Sequence, residues 1–512
     1  MKKFASILLA IAMILSMSIT AFADDNASIT TERTYNGYKL LNLTTSLKPD
    51  CGCENDEGHE DDCYNYAYTV NDKYTDILQT EAGKDDDGND IDIIAYLNDL
   101  TGDVTSGSVT IYGTLREAAD SIYRAILTEN IDADATKLTG TTEIEQGYWL
   151  FADVTDLDDK KDEANSLVIV DTKGKEELTI TPKIALPTLV KKVKDINDST
   201  GVTSGWQDSA DYDINDVVPF QLTATLPENI ASYEEYSLTF HDTLSAGLTL
   251  DSSSIEVSVG NIDVTEYFGR PTSEVTGTSF EISCEDILSE DILSIEDITI
   301  TKDTVFVVTY SATLNENATI GEEGNPNTAY LEFSNNPYDS NSTGKTSEDK
   351  VIVFTYQLTV NKVDETSTPL KGAGFTLYKK NSSGDYNPIG KELAGSDMTT
   401  FVWIGIDDGD YKLVETTVPE GYNKMADKEF SITAVHDEEK DEPALTSLTS
   451  DFGTATNGDI GDIGDTITNH TGTVLPETGA AGTMLLIGGG AMFVMLAAVI
   501  MITRKKMSVY ED

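Results

Sequence analysis

The stretch Pro187-Thr-Leu-Val-Lys-Lys-Val-Lys-Asp195, "PTLVKKVKD", decides how the chain folds. Side chains on a strand point alternately to its two faces. Leu189, Lys191 and Val193 therefore share one face, while Lys192 and Lys194 take the other. The same parity returns twice downstream. In "YSLTFHDTL" (236–244), Leu238, Phe240 and Leu244 share a face with Asp242; in "NTAYLEFSN" (327–335), Ala329, Leu331 and Phe333 share one with Asn327. If the apolar faces point inward, a lysine, an aspartate and an asparagine enter one core. Burying a charged group costs several kcal/mol unless it is paired or neutralised, so the three are expected to meet.

A second set repeats the pattern. "LTVNKVDE" aligns Lys362 with Leu358 and Val360, "YKLVETTVPEGY" aligns Glu415 with Tyr411 and Leu413, and "DTITNHTG" aligns Asn469 with Ile467. Again the amine comes early and the carboxamide late. A single polar residue of this kind is readily explained by an edge strand open to solvent. Two matching trios point to a shared arrangement.

Around these strands, residues 187–350 and 351–472 show short alternating runs broken by Gly, Asn, Asp and Pro clusters, the pattern of two β-sandwiches. The polar run from Asn335 through "YDSNSTGKTSED" is the joint between them. Residues 24–186 are mixed. "SVTIYGTLREAADSIYRAIL" passes from strand-like alternation into helical spacing, with Leu115, Ala118, Ile122, Ala125 and Ile126 on one helix face. "GYWLFADV" and "NSLVIVDT" read as strands. The expected fold is mainly β: an α+β first domain, then two immunoglobulin-like or collagen-adhesin-type sandwiches.

The ends are of another kind. Lys2 and Lys3 precede an apolar run from Phe4 to Ile19 and the small-residue pattern Ala21-Phe22-Ala23, a secretory signal over residues 1–23. Thr483 to Thr503 carries no charge and is long enough to span a bilayer as a helix. Arg504, Lys505 and Lys506 follow as a cytoplasmic basic tail.

The balance of 34 basic against 90 acidic residues, a formal charge of −56, disfavours nucleic acid as a partner and suits a soluble, self-repelling exterior. Four cysteines make no disulfide scaffold. Cys51, Cys53, His59 and Cys63 have a spacing that fits either a zinc site or a local disulfide, and Cys284 stands apart. "DDDGND" (85–90) lacks the ligand ladder of a calcium loop and reads as a solvated acidic turn. No nucleophile elbow, zinc-hydrolase or paired-carboxylate signature argues for a hydrolase, and no cofactor is called for.

Leu475-Pro476-Glu477-Thr478-Gly479, followed by the apolar span and basic tail, resembles the LPxTG sorting signal of Gram-positive surface proteins. "PTLVKKVKD", "NDVVPFQLTATLP", "FHDTLSAGLTL" and "NTAYLEFSNNP" resemble the isopeptide-forming fimbrial domain. "LTVNKVDE", "LKGAGFTLYK", "YKLVETTVPEGY" and the final "ITN" resemble the collagen-adhesin B-type domain, with Glu415 at the acid position of its E-box. Together they resemble the shaft, or backbone, subunit of a sortase-assembled pilus.

That resemblance implies the following expectations. Lys191 joins Asn327 with Asp242 as the assisting acid, and Lys362 joins Asn469 with Glu415 in that role. These would be single-turnover self-crosslinks, so the chain is not an enzyme but a sortase substrate. Sortase cuts after Thr478 and passes its acyl group to a lysine of an identical subunit. Lys183, in "LTITPKIALP", sits where the family places its pilin-motif lysine, although Thr181 stands in the usual tyrosine position and Lys191, Lys192 and Lys194 lie nearby. The implied partners are a class C sortase for polymerisation, a housekeeping sortase for attachment to peptidoglycan, tip and base pilins, and host or bacterial surface receptors. The implied layout is a signal peptide (1–23), an N-terminal pilin domain (24–186), a fimbrial sandwich (187–350), a B-type sandwich (351–472) and a sorting signal with transmembrane segment (473–512), displayed on the cell wall. A monomeric wall-anchored adhesin built from the same domains is the alternative.

Overall fold

The structure is a computed structural model and describes residues 26–48, 64–85, 87–101, 110–157, 162–173, 177–181, 184–269, 279–455 and 460–472. These divide into two compact units. The first is drawn from Met1–Val193, Pro219–Ala312 and Pro326–Val351, the second from Lys194–Val218, Thr313–Asn325 and Ile352–Asp512.

The first unit opens on a long strand, Asn26–Leu47, that organises its own sheet. It pairs antiparallel with Tyr64–Val70, Ala135–Glu145 and Gly147–Asp153, and parallel with Glu177–Ile180. Helices Thr75–Ala82 and Thr110–Thr128 pack on this sheet through Tyr74, Ile77, Leu78, Ile122 and Ile126, which meet Tyr38, Leu40 and Leu150. The strand-like alternation expected before Leu115 is not a strand. The helix already begins at Thr110, because a few alternating residues cannot outcompete extension of an amphipathic helix by one hydrogen bond per residue. In the "DDDGND" turn, the exposed Asp85 carboxylate accepts the backbone N–H groups of Asp87 (3.0 Å) and Asn89 (2.8 Å).

The rest of the first unit is a sandwich. One sheet runs through Leu248–Val259, Val305–Leu314, Val217–Thr225 and Thr188–Val193; the facing sheet contains Asn325–Ser334, Leu238–Leu244 and Ser279–Cys284. Burial alternates strictly along Val305–Leu314, as the sequence pattern requires for one face toward a core.

The second unit carries another sandwich. Tyr356–Asp364 lies between Thr400–Ile406, antiparallel, and Asp462–Asn469, parallel. The facing sheet orders Gly374–Lys380, Gly409–Thr417, Lys428–His436 and Leu445–Ser450. Leu358, Val360, Leu377, Trp403, Leu413 and Ile432 fill the space between. Among the described residues no helix is long and apolar enough to cross a membrane. The signal peptide, the sorting signal, Thr483–Thr503, Lys183, and the Cys51/Cys53/His59/Cys63 set lie outside the described residues.

Candidate functional site

Both trios assemble, and none of the six side chains is more than 1% exposed. At that burial the edge-strand explanation fails. In the first unit, Lys191 comes from one sheet, and Asp242 and Asn327 come from adjacent antiparallel strands of the other. Strand pairing sets the reach: Lys191 stands opposite Leu222, and Asn327 opposite Leu244, two residues beyond Asp242. Lys191 Nζ donates to the Asp242 carboxylate and to the Tyr310 hydroxyl (2.7 Å). Tyr310 in turn donates to Asp242 Oδ2 (2.6 Å) and accepts from Asn327 Nδ2 (2.9 Å). The rings of Phe220 and Tyr310 flank the ammonium, 5.5 and 5.3 Å from their centroids.

This setting moves both ionisable groups toward neutrality. Burial pushes the Lys191 amine below its ordinary range, and the attraction of Asp242 does not restore it. Burial likewise pushes the Asp242 carboxyl up, against the pull of Lys191. Asp242 Oδ1 and the neighbouring Asn327 Oδ1 have no hydrogen-bond partner. A buried acceptor without a partner is costly, and a proton on Asp242 relieves that cost at its own carboxyl.

In the second unit, Lys362 and Asn469 lie on adjacent parallel strands. Lys362 is level with Ile467, and Asn469 with Asp364. Lys362 Nζ donates to the carbonyls of Val363 and Ile467, each at 3.0 Å. Glu415 reaches in from the facing sheet, accepting from Asn469 Nδ2 at 2.6 Å through Oε1 and from the Met425 N–H at 2.8 Å through Oε2. Burial lowers the Lys362 amine, partly opposed by the Glu415 charge. Asn469 Oδ1 has no partner.

Two polar groups escaped the sequence reading. Tyr310 lies at the centre of the first trio, and its signal was available: in "VFVVTYSATL" it shares the inward parity of Phe306, Val308 and Ala312. Lys379 shares parity with Phe375 and Leu377, and its amine meets Asp198 (3.0 Å), Asp213 (2.7 Å) and Asp407. Burial alone would lower this amine, but Asp407 and Asp213 outweigh it and hold it firmly charged. A charged ammonium is no nucleophile, so Lys379 is a structural ion-pair centre, unlike Lys191 and Lys362.

The fold and these sites define a class. Residues 214–337 match the family model described as Gram-positive pilin backbone subunit 2, Cna-B-like domain; residues 356–446 match the prealbumin-like fold domain; residues 467–508 match the LPXTG cell wall anchor motif. The chain is thus mainly β, and over these stretches it matches models of a Gram-positive pilin backbone domain, a prealbumin-like domain and a cell-wall anchor motif.

Among particular relatives, it is similar to the trypsin-resistant surface T6 protein of Streptococcus pyogenes serotype M6, at 32% identity over 276 residues. That match covers 50% of this chain and 47% of the relative, about half the relative's length. The solved T6 backbone pilin of serotype M6 S. pyogenes aligns at 18% identity and TM-score 0.49, covering 90% of this chain and 100% of that one. The full-length major pilin SpaD from Corynebacterium diphtheriae aligns at 14% identity and TM-score 0.45, covering 87% and 97%.

Proposed function

We propose that the chain is the shaft-forming subunit of a covalently polymerised cell-surface pilus, hardened by two self-formed Lys–Asn amide bonds. The observation that carries this reading is the pair of fully buried lysine–acid–asparagine clusters in successive sandwiches ahead of an LPXTG anchor motif.

The chemistry follows from the surroundings. A neutral Lys191 amine attacks Asn327 Cγ while protonated Asp242 polarises the carbonyl. The new Nζ–Cγ bond forms, the Cγ–Nδ2 bond breaks, and the amine proton passes by way of the acid to the departing nitrogen, which leaves as ammonia. Tyr310, hydrogen-bonded to all three groups, holds them in register. In the second unit a half-turn of the Asn469 carboxamide places its oxygen on Glu415, and Lys362 attacks from the neighbouring strand. Each acid serves once, and no enzyme turnover results.

Polymerisation uses the chain's ends. A class C sortase cleaves between Thr478 and Gly479 and delivers the Thr478 acyl group to Lys183 of an identical subunit. Pro182 and Pro187 favour an extended backbone around Lys183. A housekeeping sortase joins the finished fibre to peptidoglycan, and tip and base pilins complete it.

Intact-mass measurement of the mature chain is expected to fall short by two ammonia molecules, with Asp242→Ala and Glu415→Ala each restoring one. A full unmodified mass in folded wild-type protein would overturn the crosslinking. Wall extracts are expected to show a high-mass ladder that collapses in Lys183→Ala. A single wall-linked band in the wild type would favour the monomeric adhesin instead.

A further inference from the structure

Apart from the two trios, the second unit holds a partly buried cluster to which the crosslinking chemistry assigns no role. Asp195, Asp211 and His436 offer three ligand atoms that all lie within 4.8 Å of one another. His436 Nε2 is 3.8 Å from Asp211 Oδ1 and 4.0 Å from Asp195 Oδ2, beyond hydrogen-bonding distance from either.

The tautomer of His436 can be deduced. Ser209 has one hydroxyl proton, which it donates to the Asp437 carbonyl at 2.6 Å. Its 2.7 Å contact with His436 Nδ1 therefore requires Nδ1 to carry the proton and donate. On the neutral ring the Nε2 lone pair then faces the two carboxylate oxygens. A ring nitrogen fixed by an N–H bond on its far side is the usual setting of a metal-bound histidine.

Two further contacts sharpen this. Asp211 Oδ2 accepts the Asp408 N–H (3.1 Å), and Oδ1 is the oxygen on the side of His436. The Tyr356 hydroxyl, fully buried beside Asp211 and Asp408, has no hydrogen-bond partner. The nearby ammonium of Lys379 is engaged by Asp198, Asp213 and Asp407. Metal–ligand bonds of about 2.0–2.2 Å set tetrahedral ligand atoms roughly 3.3 Å apart, so a small contraction closes the set.

We propose that Asp195, Asp211 and His436 form a site for a zinc-class divalent cation, with Ser209 orienting the imidazole. The imidazole selects a borderline transition metal over calcium, which prefers an all-oxygen shell. The ion would tie the segment around 195–211 to the strand Lys428–His436 within the second unit, a reversible clamp beside the permanent amide.

The test uses the chelator-treated extracellular chain with Cys51, Cys53 and Cys63 changed to serine, so that those thiols contribute nothing. Zinc chloride is titrated by calorimetry, and cobalt(II) chloride by visible absorption. The expected result is one zinc per chain, cobalt d–d bands without thiolate charge transfer, a higher melting temperature, and no comparable effect of calcium chloride. Direct-ligand changes Asp195→Asn and His436→Gln should weaken binding by about a hundredfold or more, and Ser209→Ala by about tenfold. Nitrogen NMR of the unsubstituted ring should move His436 Nε2 to its metal-bound position on adding zinc. Absence of zinc binding, binding unchanged in both ligand variants, or an unshifted His436 resonance would each overturn the assignment. Circular dichroism of each variant identifies any that fails to fold, and the NMR readout then decides.

Discussion

The two lysine–acid–asparagine clusters use the same three chemical groups in opposite geometries. In the first unit the lysine sits on one sheet and the asparagine on the other, with the acid holding the amine. In the second unit, lysine and asparagine are neighbours on parallel strands of one sheet, with the acid holding the carboxamide. One bond would therefore stitch two layers together, and the other would reinforce a ladder that already exists. What the clusters share is the dry environment that lowers an amine's proton affinity. The sheet topology around that environment is free to differ.

Breaking each bond separately should expose this difference most strongly. Each proposed crosslink would close a loop of more than ~100 residues, for which the loop-entropy model gives about 4–5 kcal/mol. Asn327→Ala and Asn469→Ala should each lose stability of that order in denaturant unfolding, and each should fall short of its own calculated mass by one ammonia instead of two. Under single-molecule tension the losses should not match. Without its amide the second sandwich still has eight register pairs between Gln357–Asp364 and Asp462–Asn469 loaded in shear. The strands of Lys191 and Asn327 lie in different sheets and share no ladder. Asn327→Ala should therefore lower the unfolding force more than Asn469→Ala. Equal force losses would show that sheet topology does not decide the outcome.

Much of this was legible in the sequence, because strand parity is a local property. Counting by twos from Leu189 or Leu358 leads to Lys191 and Lys362, and the structure buries both as that count requires. The same count, applied to every strand, would also have found Tyr310 and Lys379. It could not separate a reactive lysine from a structural one. Lys379 and Lys191 have the same parity signature, yet three carboxylates surround the first and one the second. That distinction depends on Asp198 and Asp213, which approach Lys379 from 181 and 166 residues away along the chain. The helix at Thr110 was misread for the opposite reason: a short alternating run carries too little information to oppose the amphipathic segment that follows it.

A smaller effect isolates Tyr310, which has no counterpart among the described residues around Lys362. Tyr310→Phe keeps the ring that packs on Phe220 and Phe280 but removes one donor and one acceptor from the first cluster. Leaving buried partners unsatisfied costs about 1–3 kcal/mol, so the unlinked state should be destabilised by that amount. The first crosslink should form more slowly while the second forms at its normal rate. Time-resolved mass spectrometry of freshly refolded protein would follow both bonds in one sample. A rate unchanged for the Lys191–Asn327 bond would reduce Tyr310 to packing.

The smallest effect is one of slope, and it contrasts the two clusters. In an Asn327→Ala chain both Lys191 and Asp242 stay ionisable. Asp242 has a folded pKa raised by burial, so the folded state binds more protons than the unfolded state; its contribution is present below the ordinary carboxylate value of 3.8 and is lost as pH rises through the raised one. Lys191 has a folded pKa lowered by burial, so the folded state binds fewer protons, and stability recovers as pH climbs from that lowered value toward 10.5. Stability of the first sandwich should thus fall and then rise with pH. In an Asn469→Ala chain Lys362 has a folded pKa lowered by burial, so stability of the second sandwich should rise on the alkaline side. Denaturant midpoints taken across the pH range, each variant compared with the crosslinked wild type, would read the two slopes. An Asn327→Ala chain whose stability shows no fall as pH rises above 3.8 would mean that burial does not raise the Asp242 carboxyl.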